Sequence, residues 1–219
     1  MLVRLDVNGN PNIGSLAVAN NEVAIVAPVF SETTARELAR ALEVEIIRTT
    51  LGGMTVLGSL CVLTDGRALV SNIVDDTEIE VLRQRLDVEV LDDRLNAVGN
   101  NILVGRRAAL VNPRYSRRAM RIIADLLDVE VVPGTIGGLK IVGSAAAVNS
   151  KGVLCHPKVD ASETALLEEV FGVPVMLGTA NFGSPMLGSA MVVNDTGAAT
   201  GSLTTGVELN RIETSLGLI

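Results

Sequence analysis

Residues 12–18 read NIGSLAV, and the same opening, a glycine and a small polar residue before an apolar run, returns four more times along the chain. The five dipeptides are Gly14-Ser15, Gly58-Ser59, Gly99-Asn100, Gly143-Ser144 and Gly188-Ser189, with glycines 44, 41, 44 and 45 residues apart. A fixed period of this length is typical of repeat architectures, in which a unit buries its core only against its neighbours. We therefore predict one domain over residues 1–219, with five repeats starting near residues 12, 56, 97, 141 and 186.

The first repeat predicts the structure of one unit. Residues 13–19 and 23–27 are apolar and extended, and Asn20-Asn21 between them is a turn signal that suits a hairpin. A helical stripe follows over residues 34–42, and a short valine-led strand ends the unit. Each unit is thus predicted to run strand, turn, strand, helix, strand. Four of the helices are expected to begin at capping boxes: Thr34 with Glu37, Asp75 with Glu78, Asp160 with Glu163 and Thr205 with Glu208.

The two ends of the chain predict how the array is completed. The fifth repeat stops at Ile219 before its final strand, while Leu2–Leu5 form a surplus strand ahead of the first repeat. We expect the N-terminal strand to complete the fifth unit, because closing a ring removes exposed sheet edges. The predicted fold class is α/β, a five-bladed β/α propeller of pseudo-fivefold symmetry with strands inside and helices outside.

Composition and charge exclude several classes of function. Hydrophobic residues make up 48% of the chain, with three Phe, one Tyr and no Trp, so we expect an aliphatic core. No segment approaches the roughly 20 apolar residues that a membrane span needs, and we expect no signal sequence, because residues 1–6 show no basic region leading into an apolar core. A net charge of −7 and few aromatic residues argue against broad binding of nucleic acid by charge or by stacking. We expect a cytoplasmic protein with no membrane partner.

Cys155-His156 is the one pair in the sequence that suggests nucleophilic catalysis, because a thiol beside an activating imidazole is a common pair. Adjacent residues on a strand point to opposite faces, however, so the two side chains are not expected to share a proton. One histidine and two scattered cysteines, Cys61 and Cys155, give neither a metal-ligand spacing nor a disulfide framework. We expect no catalytic residue, no metal and no cofactor.

Arginines concentrate in the third repeat of this acidic chain. The set consists of Arg106, Arg107, Arg114, Arg117, Arg118 and Arg121. The last four have the spacing of one helical stripe, and the first two lie in the preceding hairpin. This pattern is typical of a solvated helix face, and it is also typical of a contact with phosphate groups, for example in RNA. Both interpretations stay open.

Repeat symmetry places the small polar residues after the five glycines on one face of the ring. These residues are Ser15, Ser59, Asn100, Ser144 and Ser189. A glycine with a small polar neighbour either makes a structural turn or allows a partner to approach the backbone closely. The second interpretation would make this face a broad, fairly flat docking surface.

The fifth repeat carries the most specific motif in the chain. Residues 178–184 read GTANFGS, residues 191–195 read MVVND, and Thr204-Thr205 and Glu208-Leu209 follow. With Asn12-Ile13-Gly14, Val98-Gly99-Asn100 and His156-Pro157 in the same order, the whole chain resembles the translation initiation factor 6 family. Since the chain ends directly after its last helix, it resembles the archaeal members.

The resemblance implies a pentein fold and a function without chemistry. Members of this family bind the large (50S) ribosomal subunit and prevent its association with the small subunit, in ribosome biogenesis and initiation. The family's contact is mainly with a ribosomal protein of the uL14 type, near the sarcin–ricin loop of the rRNA. Ser59 and Asn100 fall where the family meets the ribosome, and symmetry extends this expectation to Ser15, Ser144 and Ser189. We expect a monomer.

Two other functions remain as alternatives. The pentein fold also hosts guanidino-modifying enzymes, which would here use Cys155 and His156. A ring of repeats can also serve as a generic scaffold.

Overall fold

The computed structural model describes all 219 residues and contains fifteen strands and ten helices. The strands are β1 Leu2–Leu5, β2 Ala17–Ala19, β3 Val23–Val26, β4 Glu45–Arg48, β5 Cys61–Thr64, β6 Arg67–Ser71, β7 Asp87–Leu91, β8 Ile102–Val104, β9 Ala108–Val111, β10 Glu130–Pro133, β11 Ala146–Val148, β12 Val153–Cys155, β13 Val175–Leu177, β14 Met191–Val193 and β15 Ala198–Gly201. The long helices are α2 Glu32–Leu42, α4 Asp76–Arg83, α6 Arg117–Leu127, α8 Ala161–Phe171 and α10 Gly206–Ser215. The one-turn helices are α1 Ile13–Leu16, α3 Leu57–Leu60, α5 Val98–Asn101, α7 Val142–Ala145 and α9 Leu187–Ala190.

The strands form five separate three-stranded sheets, one for each repeat. In the first four units the hairpin strands pair antiparallel, and the strand after the long helix pairs in parallel with the second hairpin strand. In the fifth sheet this third strand comes from the other end of the chain. Strand β1 pairs in parallel with β15, with Leu2 opposite Ala198 and Leu5 opposite Gly201.

The strand predicted over residues 13–19 is wrong in its first half. Ile13–Leu16 forms one helical turn, and only Ala17–Ala19 is extended. The other four glycine dipeptides lie on equivalent one-turn helices. Four apolar or small residues fit one face of a strand as well as a single turn of helix, so their pattern alone does not distinguish the two.

The one-turn helices contact each other through their glycines. A Cβ atom placed on any one of these glycines would overlap the carbonyl oxygen of the glycine in the preceding unit, and only glycine permits this approach. The contacts also link the first unit to the fifth. The five pairs are Gly58 on Gly14, Gly99 on Gly58, Gly143 on Gly99, Gly188 on Gly143 and Gly14 on Gly188.

Three of the four predicted capping boxes are present, at the starts of α4, α8 and α10. The box predicted at Thr34 is wrong, because α2 begins earlier and Ser31 is its N-cap. The Ser31 hydroxyl accepts a hydrogen bond from the Thr34 N–H at 3.1 Å. Both residues are suitable caps, and burial of Phe30 and Ala35, which flank the first turn, favours the earlier one.

Chain direction gives the molecule two different ends. The one-turn helices, the loops that enter the long helices and the first turns of those helices share one end, which we call the glycine end. The hairpin turns and the last residues of the long helices share the other, which we call the hairpin end. A shallow cavity at the hairpin end shows this grouping, since turn residues of all five units line it together with Leu127 and Asp128 from the end of α6.

The interior is aliphatic, as the composition predicts. Its largest cluster joins the first two units to the fifth sheet and contains Ile25, Leu38 and Leu82, all fully buried. Three smaller clusters follow in the third, fourth and fifth units. None of the ten helices combines the length and the hydrophobicity needed to cross a lipid bilayer.

Candidate functional site

The structure gives Cys155 and His156 separate structural roles. The Cys155 side chain is fully buried, and burial together with the charge of Glu163 raises the pKa of its thiol to about 12. The His156 Nδ1 atom accepts a hydrogen bond from the Lys158 N–H at 3.0 Å. Burial and the Lys158 charge lower the pKa of this imidazole. No hydrogen bond joins the two side chains, and a buried neutral thiol is a poor nucleophile.

Cys61 and the carboxylates are equally unsuited to chemistry or metal binding. Burial raises the pKa of the Cys61 thiol to about 12, and its side chain is 1% exposed. Both cysteines are free thiols. No group of three or more His, Cys, Asp or Glu side chains is arranged to hold a metal ion.

The five small polar residues predicted from the repeat lie together at the glycine end, on the one-turn helices. Ser15, Ser59, Asn100 and Ser189 are half-buried. Ser144 is buried, and its hydroxyl donates a hydrogen bond to the Asn100 Oδ1 atom at 2.9 Å. This hydrogen bond orients the Asn100 side chain.

A pair of asparagines that the sequence analysis did not identify fixes the turn that carries Asn100. The Asn101 amide donates to the Ala97 carbonyl at 2.9 Å, within the turn. The Asn112 amide donates to the Asn101 Oδ1 atom at 2.7 Å, and the Asn112 Oδ1 atom accepts from the Arg114 N–H at 3.0 Å. The loop after β9 is thus attached to α5. The sequence carries no local signal for this contact, because the contact joins residues eleven positions apart in different elements.

Three loops at the glycine end are each held by a glutamate at the start of the next long helix, and two of these glutamates, Glu78 and Glu208, are buried. In the fifth unit, the Glu208 carboxylate accepts from the Gly183 N–H, the Thr205 N–H and the Thr179 hydroxyl, each at 2.8 Å. Burial raises the pKa of this carboxyl, but the hydrogen bonds outweigh that effect and hold the pKa below its ordinary value. Glu78 and Glu163 bind the equivalent loops in the same way.

The loop held by Glu208 exposes an aromatic side chain. Asn181 and Phe182 both adopt left-handed backbone conformations, with φ of 50° and 61°, which side chains other than glycine rarely adopt. The Phe182 side chain is 82% exposed. Leu203 and Val207, which flank the Thr204 and Glu208 partners of this loop, are 57% and 83% exposed. These three apolar side chains form what we call the apolar corner.

Exposed apolar side chains are concentrated at the glycine end. Of the thirteen large apolar residues that are exposed, eight lie in its loops or helix starts: Val29, Met54, Val56, Ile73, Ile141, Phe182, Leu203 and Val207. Exposed apolar groups that gather on one surface are typical of an interaction site.

The hairpin end, in contrast, is polar and internally hydrogen-bonded. The Asn194 amide donates to the carbonyls of Asn20 and Leu42 at 3.0 and 2.8 Å, and so joins the fifth unit to the first. The Asn21 amide contacts both Asp65 and Asp195. These contacts brace neighbouring hairpin turns against each other.

The predicted stripe of arginines is divided by the structure. Helix α6 begins at Arg117, so Arg114 lies in the preceding turn and not on the helix. The Ser116 hydroxyl caps this start by accepting from the Ala119 N–H at 3.0 Å, which is why the stripe does not extend further back. The remaining arginines separate as well, since Arg106 and Arg107 lie at the hairpin end, whereas Arg114, Arg117 and Arg118 lie at the glycine end and Arg121 is one turn further along α6.

Solved structures with the same arrangement of elements are known at low sequence identity. One is the N-terminal domain of ArgZ covalently bound to a reaction intermediate, with a TM-score of 0.56 at 15% identity over 82% of this chain and 72% of that one. Another is the same domain, from an arginine dihydrolase of cyanobacteria, bound to substrate, with a TM-score of 0.56 at 14% identity over 82% and 73% of the chains. The class of protein is therefore a pentein-like α/β fold, here with five three-stranded sheets.

Sequence comparison then gives the family. The chain belongs to the eIF-6 family, whose model matches residues 2–215. Translation initiation factor 6 of Methanosarcina mazei is 42% identical over 219 residues, the full length of both chains. Translation initiation factor 6 of Pyrococcus abyssi is 38% identical over 99% of this chain and 98% of its own. The family prediction is confirmed, and membership makes this protein a translation factor and not an enzyme.

Proposed function

We propose that this protein binds the large (50S) ribosomal subunit through its glycine end and thereby prevents the small subunit from joining. The observation that carries this proposal is the contrast between the two ends. The glycine end presents exposed apolar side chains and small polar residues, whereas the hairpin end uses its polar groups to brace itself. The proposal needs no catalytic step, because the protein, once bound to the large subunit, prevents the small subunit from occupying the same surface.

The size of the molecule is sufficient for this role. A stable interface buries about 800 Å² on each partner. The protein has an accessible surface of 9659 Å², so such a contact needs about a twelfth of it. One end of the molecule can supply that area.

The docking surface, as we propose it, consists of Ser15, Ser59, Asn100 and Ser189, with Ser144 behind Asn100, and the apolar corner at its edge. Its main partner is a ribosomal protein of the uL14 type, near the sarcin–ricin loop. Phe182 supports a protein partner, because exposed aromatic side chains with apolar neighbours often supply much of the binding energy of protein interfaces. The factor acts in the cytoplasm as a monomer, in ribosome biogenesis and initiation.

We also infer that residues 1–219 form one closed, five-bladed pentein domain. The parallel pairing of β1 with β15 supports closure, as do the glycine contacts that return from Gly188 to Gly14. A closed ring keeps all five one-turn helices in one plane, which suits a flat docking surface.

Sedimentation with purified ribosomal subunits tests the proposal. The protein should co-sediment with large subunits, should not co-sediment with small subunits, and should reduce the yield of joined ribosomes. Equal binding to small subunits, or binding to neither, would reject it, and the second result would leave the generic scaffold as the remaining interpretation.

A matched pair of variants tests which end binds. Ser59→Arg places a large cation on a half-buried position of the glycine end, and Thr196→Arg makes the same change of charge at an exposed position of the hairpin end. We expect Ser59→Arg to abolish co-sedimentation and Thr196→Arg to leave it unchanged. The reverse result would assign docking to the hairpin end.

A further inference from the structure

The two arginines at the start of α6 have no acidic partner. Arg117 and Arg118 are the first two residues of this helix, and both are exposed. The protein contains three ion pairs, and none of them involves an arginine of the third unit. These guanidinium groups are therefore free to meet an external anion.

Their position is unfavourable in the free protein. The start of a helix carries a partial positive charge, which stabilises acidic side chains and destabilises basic ones. Helices α4, α8 and α10 follow this rule with an acidic residue in the first turn, whereas α6 has none. The chain has a net charge of −7, yet two cations lie at this helix start, where positive charge is unfavourable. Binding of an anion there would offset the unfavourable charge.

The arginines adjoin the proposed docking surface. Asn112 accepts from the Arg114 N–H and donates to Asn101, the residue after Asn100, so the turn leading into α6 is attached to the helix that carries Asn100. Arg117 and Arg118 follow this turn directly. They occupy the edge of the glycine end in the third unit.

Nearby acidic groups do not cancel this charge. Asp92 and Asp93 share a cleft with Arg94 and Arg114, so the cleft holds equal numbers of the two charges. Asp92 accepts from the Asn72 amide and Asp93 from the Leu95 N–H, at 2.9 and 2.8 Å. The positive excess at this edge comes from Arg117 and Arg118.

Building on the proposed function, we propose that Arg117 and Arg118, with Arg114 beside them, contact backbone phosphates of RNA in the large subunit. The planar guanidinium group matches the oxygens of a phosphate with two parallel hydrogen bonds. The third unit exposes no aromatic side chain for base stacking, since its Tyr115 is buried. The contact is therefore with the backbone and does not depend on base sequence. Arg106 and Arg107, at the opposite end, take no part.

The two arginine pairs provide the variant and its matched control. The double variant Arg117→Gln/Arg118→Gln and the double variant Arg106→Gln/Arg107→Gln each remove two positive charges from exposed positions. Affinity for purified large subunits is measured between 50 and 200 mM salt, after thermal unfolding has shown that both variants fold. Each lost phosphate contact reduces the slope of log affinity against log salt by about 1. We expect the first variant to reduce this slope by about 2 and to bind more weakly, and the control to match the parent.

Other outcomes overturn the inference in distinguishable ways. If the parent binds large subunits and both pairs leave the slope unchanged, the phosphate contact is wrong and the proposed function stands. Equal flattening by both pairs would show an effect of net charge alone. If Arg117→Gln/Arg118→Gln weakens binding to an isolated uL14-type protein by the same factor, the acceptor is protein and not RNA. A parent protein that binds no large subunit overturns both proposals.

Discussion

The hydroxyl of Ser144 donates a hydrogen bond to the Oδ1 atom of Asn100 across the boundary between the third and fourth units, at 2.9 Å. The two residues are 44 positions apart, which is one repeat, and they occupy equivalent places in neighbouring units. Four of the five equivalent residues are half-buried, while this serine is buried. Of the five residues, only Asn100 and Ser144 make a side-chain hydrogen bond.

Ser144→Ala should lower the affinity for the large subunit without contacting it. One hydrogen bond contributes about 1 kcal/mol, so we expect roughly a fivefold loss as Asn100 gains freedom. In the Asn100→Ala background, the same change should have little further effect, because the two residues act as a unit. Affinities from sedimentation check this cycle. Fully additive losses would show that Ser144 acts independently of Asn100.

Phe182→Ala should weaken binding by at least tenfold while leaving thermal stability nearly unchanged. The side chain is 82% exposed, so its removal loses little burial within the free protein. Residues that anchor interfaces commonly contribute about 2 kcal/mol or more. Ile219→Ala, at an 83% exposed apolar position near the hairpin end, is the control and should bind like the parent. Equal behaviour of the two variants would remove the apolar corner from the interface.

Gly58→Ala should destabilise the protein by about 3 kcal/mol, because its methyl group would overlap the Gly14 carbonyl oxygen. Gly206→Ala is the matched control. Its Cβ would meet no atom within 4 Å, and alanine favours a helix over glycine, so this variant should be as stable as the parent or slightly more so. Denaturant unfolding measures both. A small effect of Gly58→Ala would mean that the units separate easily.

Glu208→Gln should destabilise the 179–183 loop most strongly above pH 5. The folded-state pKa of this carboxyl lies below its ordinary value of 4.5, so its contribution to stability is present above that pH and is lost as the pH falls through the folded pKa. The parent should therefore lose stability below about pH 4.5 more steeply than the variant. Unfolding free energies between pH 3 and 7 check this. Parallel curves would show that the carboxylate charge is unimportant.

Thr64→Asn should stabilise the protein by about 1 kcal/mol. Asn20, Asn149 and Asn194 occupy the equivalent position in three other units, and the amide of each donates to a carbonyl of the next unit. Thr64 is too short for this contact, and its hydroxyl is the one buried side-chain polar atom without a hydrogen-bond partner. An asparagine should restore the link at a cost of little strain. Thermal unfolding measures the gain, and a loss of stability would mean that the second turn cannot accommodate the amide.

The period of the glycines was sufficient to predict the number of units, the order of their strands and helices, and the surplus N-terminal strand. It was insufficient for the one-turn helices, because four residues are too few to distinguish a helical from an extended period. The glycine contacts that require those turns join residues about 44 positions apart. Their geometry follows from assembly of the units and not from local sequence.

For the candidate site, repeat symmetry predicted that the five small polar residues share one end, and all five lie on the one-turn helices, but symmetry did not show that Ser144 is buried. The predicted arginine stripe wrongly included Arg114. Its spacing fits a helix, but the helix begins only after the N-cap residue Ser116. Two of the three loops held by glutamates carry a recognisable signal, a threonine 28 residues before the glutamate and a pair of glycines that ends 25 residues before it, as in Thr135 and Gly138 before Glu163. The capping boxes identified the glutamates of these contacts but not the loops that the glutamates hold.

The partnership of β1 with β15 has a consequence for synthesis. Leu2 leaves the ribosome well before its partner Ala198, which follows 196 residues later. Until β15 has been synthesised, β1 lacks its partner strand, so the fifth sheet cannot form before the other four units have been translated. The fifth sheet is therefore the last of the five to form, and residues 2–5 are the strand on which nascent-chain chaperones would act longest.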